Sequence, residues 1–243
     1  MKPRPAPPAG STGAVDLGVA RVWRIDLDAA PADTDCLSQA ERDRAARFVF
    51  ARDRERFVAA HVALRQVLAA HTAIEASRLE FVAGASGKPA LVRPAGVPFN
   101  LSHSHSVALI AIGTGAADIG IDVEVLRPMP DAEAMAASYF TAAEQRALAA
   151  VPPALRDRAF LTCWTRKEAC LKAVGLGLGV DTRSFEAGVD TRARDVQIPV
   201  DHGTARVEVL SFDGGDDVVC AMARALRACA TAARPTHESE LHA

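Results

Sequence analysis

Apolar residues recur at helical spacing in two long segments and at strand spacing in several shorter ones. From Arg52 to His71, Phe57, Ala60, Leu64, Val67 and Leu68 fall on one stripe, which predicts an amphipathic helix. From about Leu155 to Val174 a second stripe, formed by Phe160, Cys163, Trp164 and Leu171, predicts another, interrupted at Lys167 where a core residue is due. The run Gly175-Leu-Gly-Leu-Gly179 then ends it, as glycine past a helix C-terminus does, whereas a phosphate-binding loop precedes its helix. Ile119-Gly-Ile-Asp-Val-Glu-Val125 alternates strictly, so Ile121, Val123 and Val125 share one strand face and Gly120, Asp122 and Glu124 the other. Val107–Ile112 and Val218–Met222 read as buried strands. Sliding the chain on itself by about 103 residues aligns Phe57-x-x-x-His61 with Phe160-x-x-x-Trp164 and Leu68 with Leu171. A short match follows each helix, Arg78-Leu-Glu-Phe81 and Arg183-Ser-Phe185-Glu, and then a buried strand. Two copies are too few for a solenoid. The expected fold is therefore α+β, a pseudo-dimer of two similar halves, each a long helix packed on a small antiparallel sheet, with a ligand cleft at the junction. The expected divisions are a mobile leader at 1–14, halves at 15–115 and 116–230, and a tail at 231–243.

Composition narrows the class. Hydrophobic residues make up 49% and charged residues 24% of the 243 residues, within the soluble globular range. A net charge of −2 gives no global field for nucleic acid or an anionic membrane, so any anion must be caught locally. Apolar runs such as Val107–Ile112 fall far short of the roughly 20 residues a membrane-spanning helix needs. The start, MKPRPAPPAGSTGAV, has prolines where a signal peptide needs an apolar stretch, so a cytoplasmic location is expected. The five cysteines form no CxxC pair and read as reduced, structural core residues.

Three segments carry candidate chemistry. Asp122 and Glu124, two apart on a strand, stand about 7 Å apart at Cα, within reach of one hard cation. An isolated D-x-E is ordinarily a solvated strand face; Gly120 on the same face keeps the surface low enough for something large to lie against it. In Trp164-Thr-Arg-Lys-Glu-Ala-Cys-Leu-Lys172, Trp164, Glu168 and Lys172 form a ridge at i, i+4 and i+8, which by itself is an ordinary surface Glu-Lys pair. Taken with Asp122 and Glu124, it offers a third carboxylate and a lysine, the set that suits magnesium and a pyrophosphate. Pro98-Phe-Asn-Leu-Ser-His-Ser-His-Ser106 leads into the Val107 strand, and its Asn, Ser and His side chains offer several short donors, a histidine being able to donate to a phosphate in either tautomer. His103 and His105 lack the companions of a zinc site, and no G-x-S-x-G elbow supports a serine nucleophile. Gly87-Lys88-Pro89 is a turn with one lysine, and six arginines between Arg42 and Arg56 supply mostly solvated charge.

In chain order, G-K-P-A-L, F-N-L-S-H-S, I-G-I-D-V-E and W-T-R-K-E-A-C-L-K-A resemble the 4′-phosphopantetheinyl transferases, in particular the long surfactin-type (Sfp-like) group, over about Ala40 to Val180. The resemblance implies a monomer of two pseudo-repeated halves that transfers the phosphopantetheine arm of coenzyme A to a serine of an apo acyl or peptidyl carrier protein. Adenosine 3′,5′-bisphosphate would be released, in fatty acid, polyketide or nonribosomal peptide biosynthesis. It implies Mg²⁺ held by Asp122, Glu124 and Glu168, with Lys172 on the pyrophosphate and Ser102 and His103 on the coenzyme A phosphates. Gly87, Lys88 and Pro89 would form the adenine and 3′-phosphate edge, and Arg44 would be a further 3′-phosphate contact. Glu168 is the candidate base, beside Lys172. The alternatives are a Mg²⁺-dependent nucleotide phosphoesterase using the same acids and a non-catalytic coenzyme A-binding module.

Overall fold

Two long helices, α2 (Ala51–Thr72) and α5 (Pro153–Val174), each cover one face of a four-stranded antiparallel sheet, and the other faces of the two sheets pack on each other. The computed structural model describes residues 10–29, 33–84, 87–176, 179–201 and 203–226. The expected tail, residues 1–9 of the expected leader, Gly177 and Cys229 lie outside them.

The first sheet runs in the order β1 (Ser11–Asp16), β2 (Ala20–Asp26), β6 (Val107–Gly113), β5 (Phe99–Ser104). The second runs β7 (Ile119–Val125), β10 (Val218–Leu226), β9 (Gly203–Phe212), β8 (Arg194–Val200). A hairpin of two three-residue strands, β3 (Phe81–Ala83) and β4 (Pro89–Leu91), stands apart from both. Strand alternation assigns the layers: Ala108, Ile110 and Ile112 of β6 face α2, while Val107, Leu109 and Ala111 face Ile119, Ile121 and Val123 of β7. Each Val, Leu or Ile side chain so buried contributes about 1.5–3 kcal/mol.

Part of the stretch expected as leader is strand. Ser11 to Ala14 belong to β1, which pairs with β2 from Ser11↔Ile25 to Asp16↔Arg21. The composition of that stretch carries no apolar alternation, and it is the ladder offered by β2 that orders it.

Three short helices escape the periodicity reading: α1 (Gln39–Ala45), α3 (Ala132–Tyr139) and α4 (Ala142–Ala150). Two of them start on matching capping boxes. The Ser38 hydroxyl accepts from Glu41 N while Glu41 accepts from Ser38 N at 2.7 Å; Thr141 and Glu144 repeat the exchange, with Thr141 N donating to Glu144 at 2.9 Å. Each capping glutamate then pairs with a buried cation of the long helix, Glu41 with Arg65 and Glu144 with Lys167, both at 2.8 Å. Lys167 also donates to the carbonyls of Thr182 and Phe185, which accounts for a lysine at a core position. These pairs correct the register of the repeat. Ser38 and Thr141 keep the sequence offset, but the left-handed helix caps Ala73 and Gly175 lie one residue closer, so Arg65 matches Lys167 rather than Glu168.

Candidate active site

β5 and β7 are edge strands of different sheets and meet through side chains. Asn100, Ser102 and Ser104 alternate along β5 and reach β7 in step: Ile121 N donates to Asn100 Oδ1 at 2.8 Å, Ser102 Oγ donates to Asp122 Oδ1 at 2.7 Å, and Ser104 Oγ donates to Glu124 Oε2 at 2.8 Å. Ser104 also accepts from Val125 N at 3.3 Å. The intervening residues Leu101 and His103 turn the other way, into a groove.

α5 lies across β7, and Gly120 is the reason it fits. A Cβ there would stand 2.1 Å from the Ala169 carbonyl oxygen and 2.5 Å from Ala173 N. What Gly120 admits is thus the chain's own helix, and Asp122, at 5% exposure, is buried instead of lying on a solvated strand face. The helix brings its own charges. Lys172 Nζ donates to Asp122 Oδ1 at 2.6 Å and to Ser102 Oγ at 3.0 Å. Burial pushes the Asp122 carboxyl up, against the pull of Lys172 and Ser102. Glu168, one turn before Lys172, is also raised, first by burial and then by repulsion from Asp122 and Glu124, with Lys172 opposing. Glu124 is held by Arg127 at 2.9 Å as well as by Ser104. Trp164 leaves the ridge, since its ring packs edge-on to Tyr139 at 5.3 Å in the cluster under α3.

Among the described residues no three His, Cys, Asp or Glu side chains form a ready-made metal cage. The carboxylates are turned toward Lys172 and Arg127 instead of toward one another. The donor set nonetheless fits a hard cation: Asp122 Oδ2 is buried with no hydrogen-bond partner, and the carboxylates of Asp122, Glu124 and Glu168 are close enough for their mutual repulsion to raise Glu168.

The groove beside this cluster holds about 970 Å³, bounded by α1, α2, the β3–β4 hairpin and β5. Arg44, Gly87, Pro89 and His103 all line it. The Arg44 guanidinium lies over the Phe57 ring, 5.4 Å from its centroid, and His61 stacks 3.9 Å from the same ring. His61 Nδ1 is 2.9 Å from the Phe57 carbonyl oxygen, which can only accept, so this nitrogen carries the proton. His103 is held below the usual histidine range, by burial first and then by Lys172 and Arg44, with Asp122 opposing.

Of the expected phosphate contacts, Ser102 and Lys88 are not among the groove's lining residues. The Ser102 hydroxyl is taken up by Asp122 and Lys172. Lys88 points out of the groove, into a separate hollow of about 210 Å³ at the end of α5, where it donates to the Ile119 carbonyl at 2.8 Å. Asn100, Ser104, Arg127 and His61 are the site residues that sequence reasoning missed; the serine alternation on β5 was visible, but nothing in it said that β7 was the strand it would meet.

Residues 118–223 match the family described as the 4′-phosphopantetheinyl transferase superfamily, and residues 22–114 match 4′-phosphopantetheinyl transferase, N-terminal. The chain is 38% identical over 164 residues to the 4′-phosphopantetheinyl transferase HetI of Nostoc, covering 65% of this chain and 69% of that one. It is 26% identical over 187 residues to Sfp of Bacillus subtilis, covering 76% and 82%. With AcpT of Salmonella typhimurium it shares 39% over 97 residues, 40% of this chain and 50% of the other.

Proposed function

Because the chain belongs to the 4′-phosphopantetheinyl transferase family, enzymes that move phosphopantetheine from coenzyme A to carrier proteins, we propose that it is a cytoplasmic, monomeric, Mg²⁺-dependent member of the Sfp-like group that modifies a serine of an apo acyl or peptidyl carrier protein and releases adenosine 3′,5′-bisphosphate. The observation that carries this reading is the convergence of Glu168 and Lys172 of α5 with Asp122 and Glu124 of β7 at the flank of the groove. The groove would take coenzyme A, with Arg44 facing the 3′-phosphate, the Gly87 and Pro89 backbone the adenine, and His103 a phosphate oxygen.

In the transfer, the serine oxygen attacks the phosphorus that carries pantetheine, and the bond from that phosphorus to the bridging oxygen breaks. Glu168 takes the serine proton, for which its raised proton affinity suits it. Lys172 meets the negative charge that develops on the departing phosphate, held in place by Ser102 and Asp122. Asp122, Glu124 and Glu168 would hold Mg²⁺, which when bound supplies charge neutralisation for the pyrophosphate.

The enzyme class removes the non-catalytic alternative, and the phosphoesterase alternative differs in its product. Incubation with Mg²⁺, coenzyme A and an apo carrier protein, followed by intact mass, tests the proposal. A gain of one phosphopantetheine on the carrier serine is expected; coenzyme A cleavage with an unmodified carrier would overturn it.

A further inference from the structure

The β3–β4 hairpin carries Gly87 and Pro89 to the groove; its base is anchored by Leu91 and Phe81 in the α2 core, but its turn end is exposed. Its strands have three residues each, and a two-stranded hairpin that short is marginal in water. Val82, Ala83, Gly84 and Gly87 are exposed. Its turn is closed by Gly84 N donating to the Lys88 carbonyl at 2.8 Å and Gly87 N donating to the Gly84 carbonyl at 2.9 Å. From this turn Lys88 Nζ reaches into the second half of the molecule and donates to the carbonyl of Ile119 at 2.8 Å. Ile119 opens β7, the strand that carries Asp122 and Glu124, and is itself 1% exposed in the core between the sheets. The hollow around the ammonium is lined by Pro98, Phe99, Asp118 and the α5 end at Ala173–Gly175, none of them groove residues. Burial lowers the proton affinity of Lys88 and Asp118 raises it, and the hollow that holds the ammonium meets the groove at Pro89, which lines both.

We propose that Lys88 is a positioning residue for coenzyme A: its ammonium ties the β3–β4 hairpin to the first residue of β7 and so fixes Gly87 and Pro89 against the groove without touching the 3′-phosphate. The inference rests on the reading of the groove as the coenzyme A site. It assigns to a basic side chain in a phosphate-binding neighbourhood a role that does not depend on the phosphate.

Coenzyme A and dephospho-coenzyme A separate the two roles. Calorimetry on the full chain is expected to show Lys88→Met weakening both ligands by the same factor, about three- to tenfold for one lost hydrogen bond, with kcat for carrier modification within twofold of the wild type. Arg44→Ala is expected to weaken coenzyme A and leave dephospho-coenzyme A unchanged. Loss confined to coenzyme A in Lys88→Met would make Lys88 a phosphate contact and overturn the proposal, as would unchanged affinity for both ligands. Hydrogen exchange of the Gly84 and Gly87 amides without ligand tests the tether independently of the groove's identity. Faster exchange in Lys88→Met than in the wild type supports it, even if neither protein binds coenzyme A and the functional reading falls; equal exchange overturns it.

Discussion

Glu168 shows how a carboxylate that looks ordinary in the sequence acquires the surroundings that support the base role proposed for it. In a Glu-Lys pair on a surface helix it would be worth a few tenths of a kcal/mol. Packed against β7 it is raised by burial and by two neighbouring carboxylates. The sign of the pH dependence follows. With its pKa above the ordinary 4.5, Glu168 in the metal-free protein protonates at a higher pH than a free carboxylate. In the metal-free wild type an NMR titration is expected to place Glu168 above 4.5, and added Mg²⁺, a cation beside the carboxylate, to move it down. Glu168→Gln is expected to lower kcat by about 10²–10⁴-fold and, without Mg²⁺, to leave coenzyme A affinity within a few-fold; single-turnover transfer and metal-free calorimetry measure the two. Stability should move the opposite way. A raised carboxylate is least favourable when ionised, so removing its charge at pH 7 relieves repulsion, and the thermal midpoint of Glu168→Gln is expected to equal or exceed that of the wild type. A lower midpoint would show that Glu168 is a structural group.

At the scale of elements, two contacts fix where α5 sits. One is steric: Gly120→Ala drives a methyl into the Ala169 carbonyl and the Ala173 amide, backbone atoms that move only with the helix. The expected cost is about 3 kcal/mol or more, read from the denaturant midpoint, with loss of transfer because Glu168 and Lys172 move with α5. The other is the buried pair Lys167–Glu144, both 1% exposed, with Glu144 also accepting from Ala187 N at 2.7 Å and Gly188 N at 3.0 Å. Burial pushes Glu144 up, but Lys167 and the backbone donors more than reverse it and leave its pKa below 4.5. A depressed carboxylate stabilises above its unfolded pKa, so this contribution is present above about pH 4.5 and lost as pH falls through the lower folded value. Glu144→Gln strands the Lys167 ammonium and is expected to cost about 3–5 kcal/mol at pH 7. Unfolding midpoints across pH 3–7 check both statements: the variant's deficit should shrink toward the acid end.

For the whole molecule, the repeat builds one site and not two. In the corrected register the places of Glu168 and Lys172 are held in α2 by Gln66 and Ala70, and β2, the strand that opens the first half's sheet-helix unit as β7 opens the second's, carries a single acid, Asp26. The first half instead spends its surface on the groove, through Arg44, Phe57, His61 and His103. Two similar halves therefore differ, one lining the groove and the other carrying a cluster of acids and a lysine. Titration of coenzyme A into the full chain is expected to give a stoichiometry near one per chain; a value near two would show that the halves are functionally equivalent.

Much of this was legible in the linear chain because it rests on local periodicity. The stripe from Phe57 to Leu68, the alternation from Ile119 to Val125 and the glycine after Val174 each depend on residues a few positions apart, and the structure returns them as α2, β7 and the α5 cap. The same alternation put Gly120, Asp122 and Glu124 on one face, and four ordered motifs indicated the family. What only the tertiary structure decided are partnerships across long separations. That Gly120 receives a helix, that Lys167 meets Glu144, that Ser102 serves Asp122 and Lys172, and that Lys88 leaves the groove for Ile119 all depend on how the sheets and helices stack. Periodicity tells which face of an element is apolar or charged. It carries no information about which other element will cover that face, and a lysine reads the same in sequence whether its ammonium ends on a phosphate or on a carbonyl.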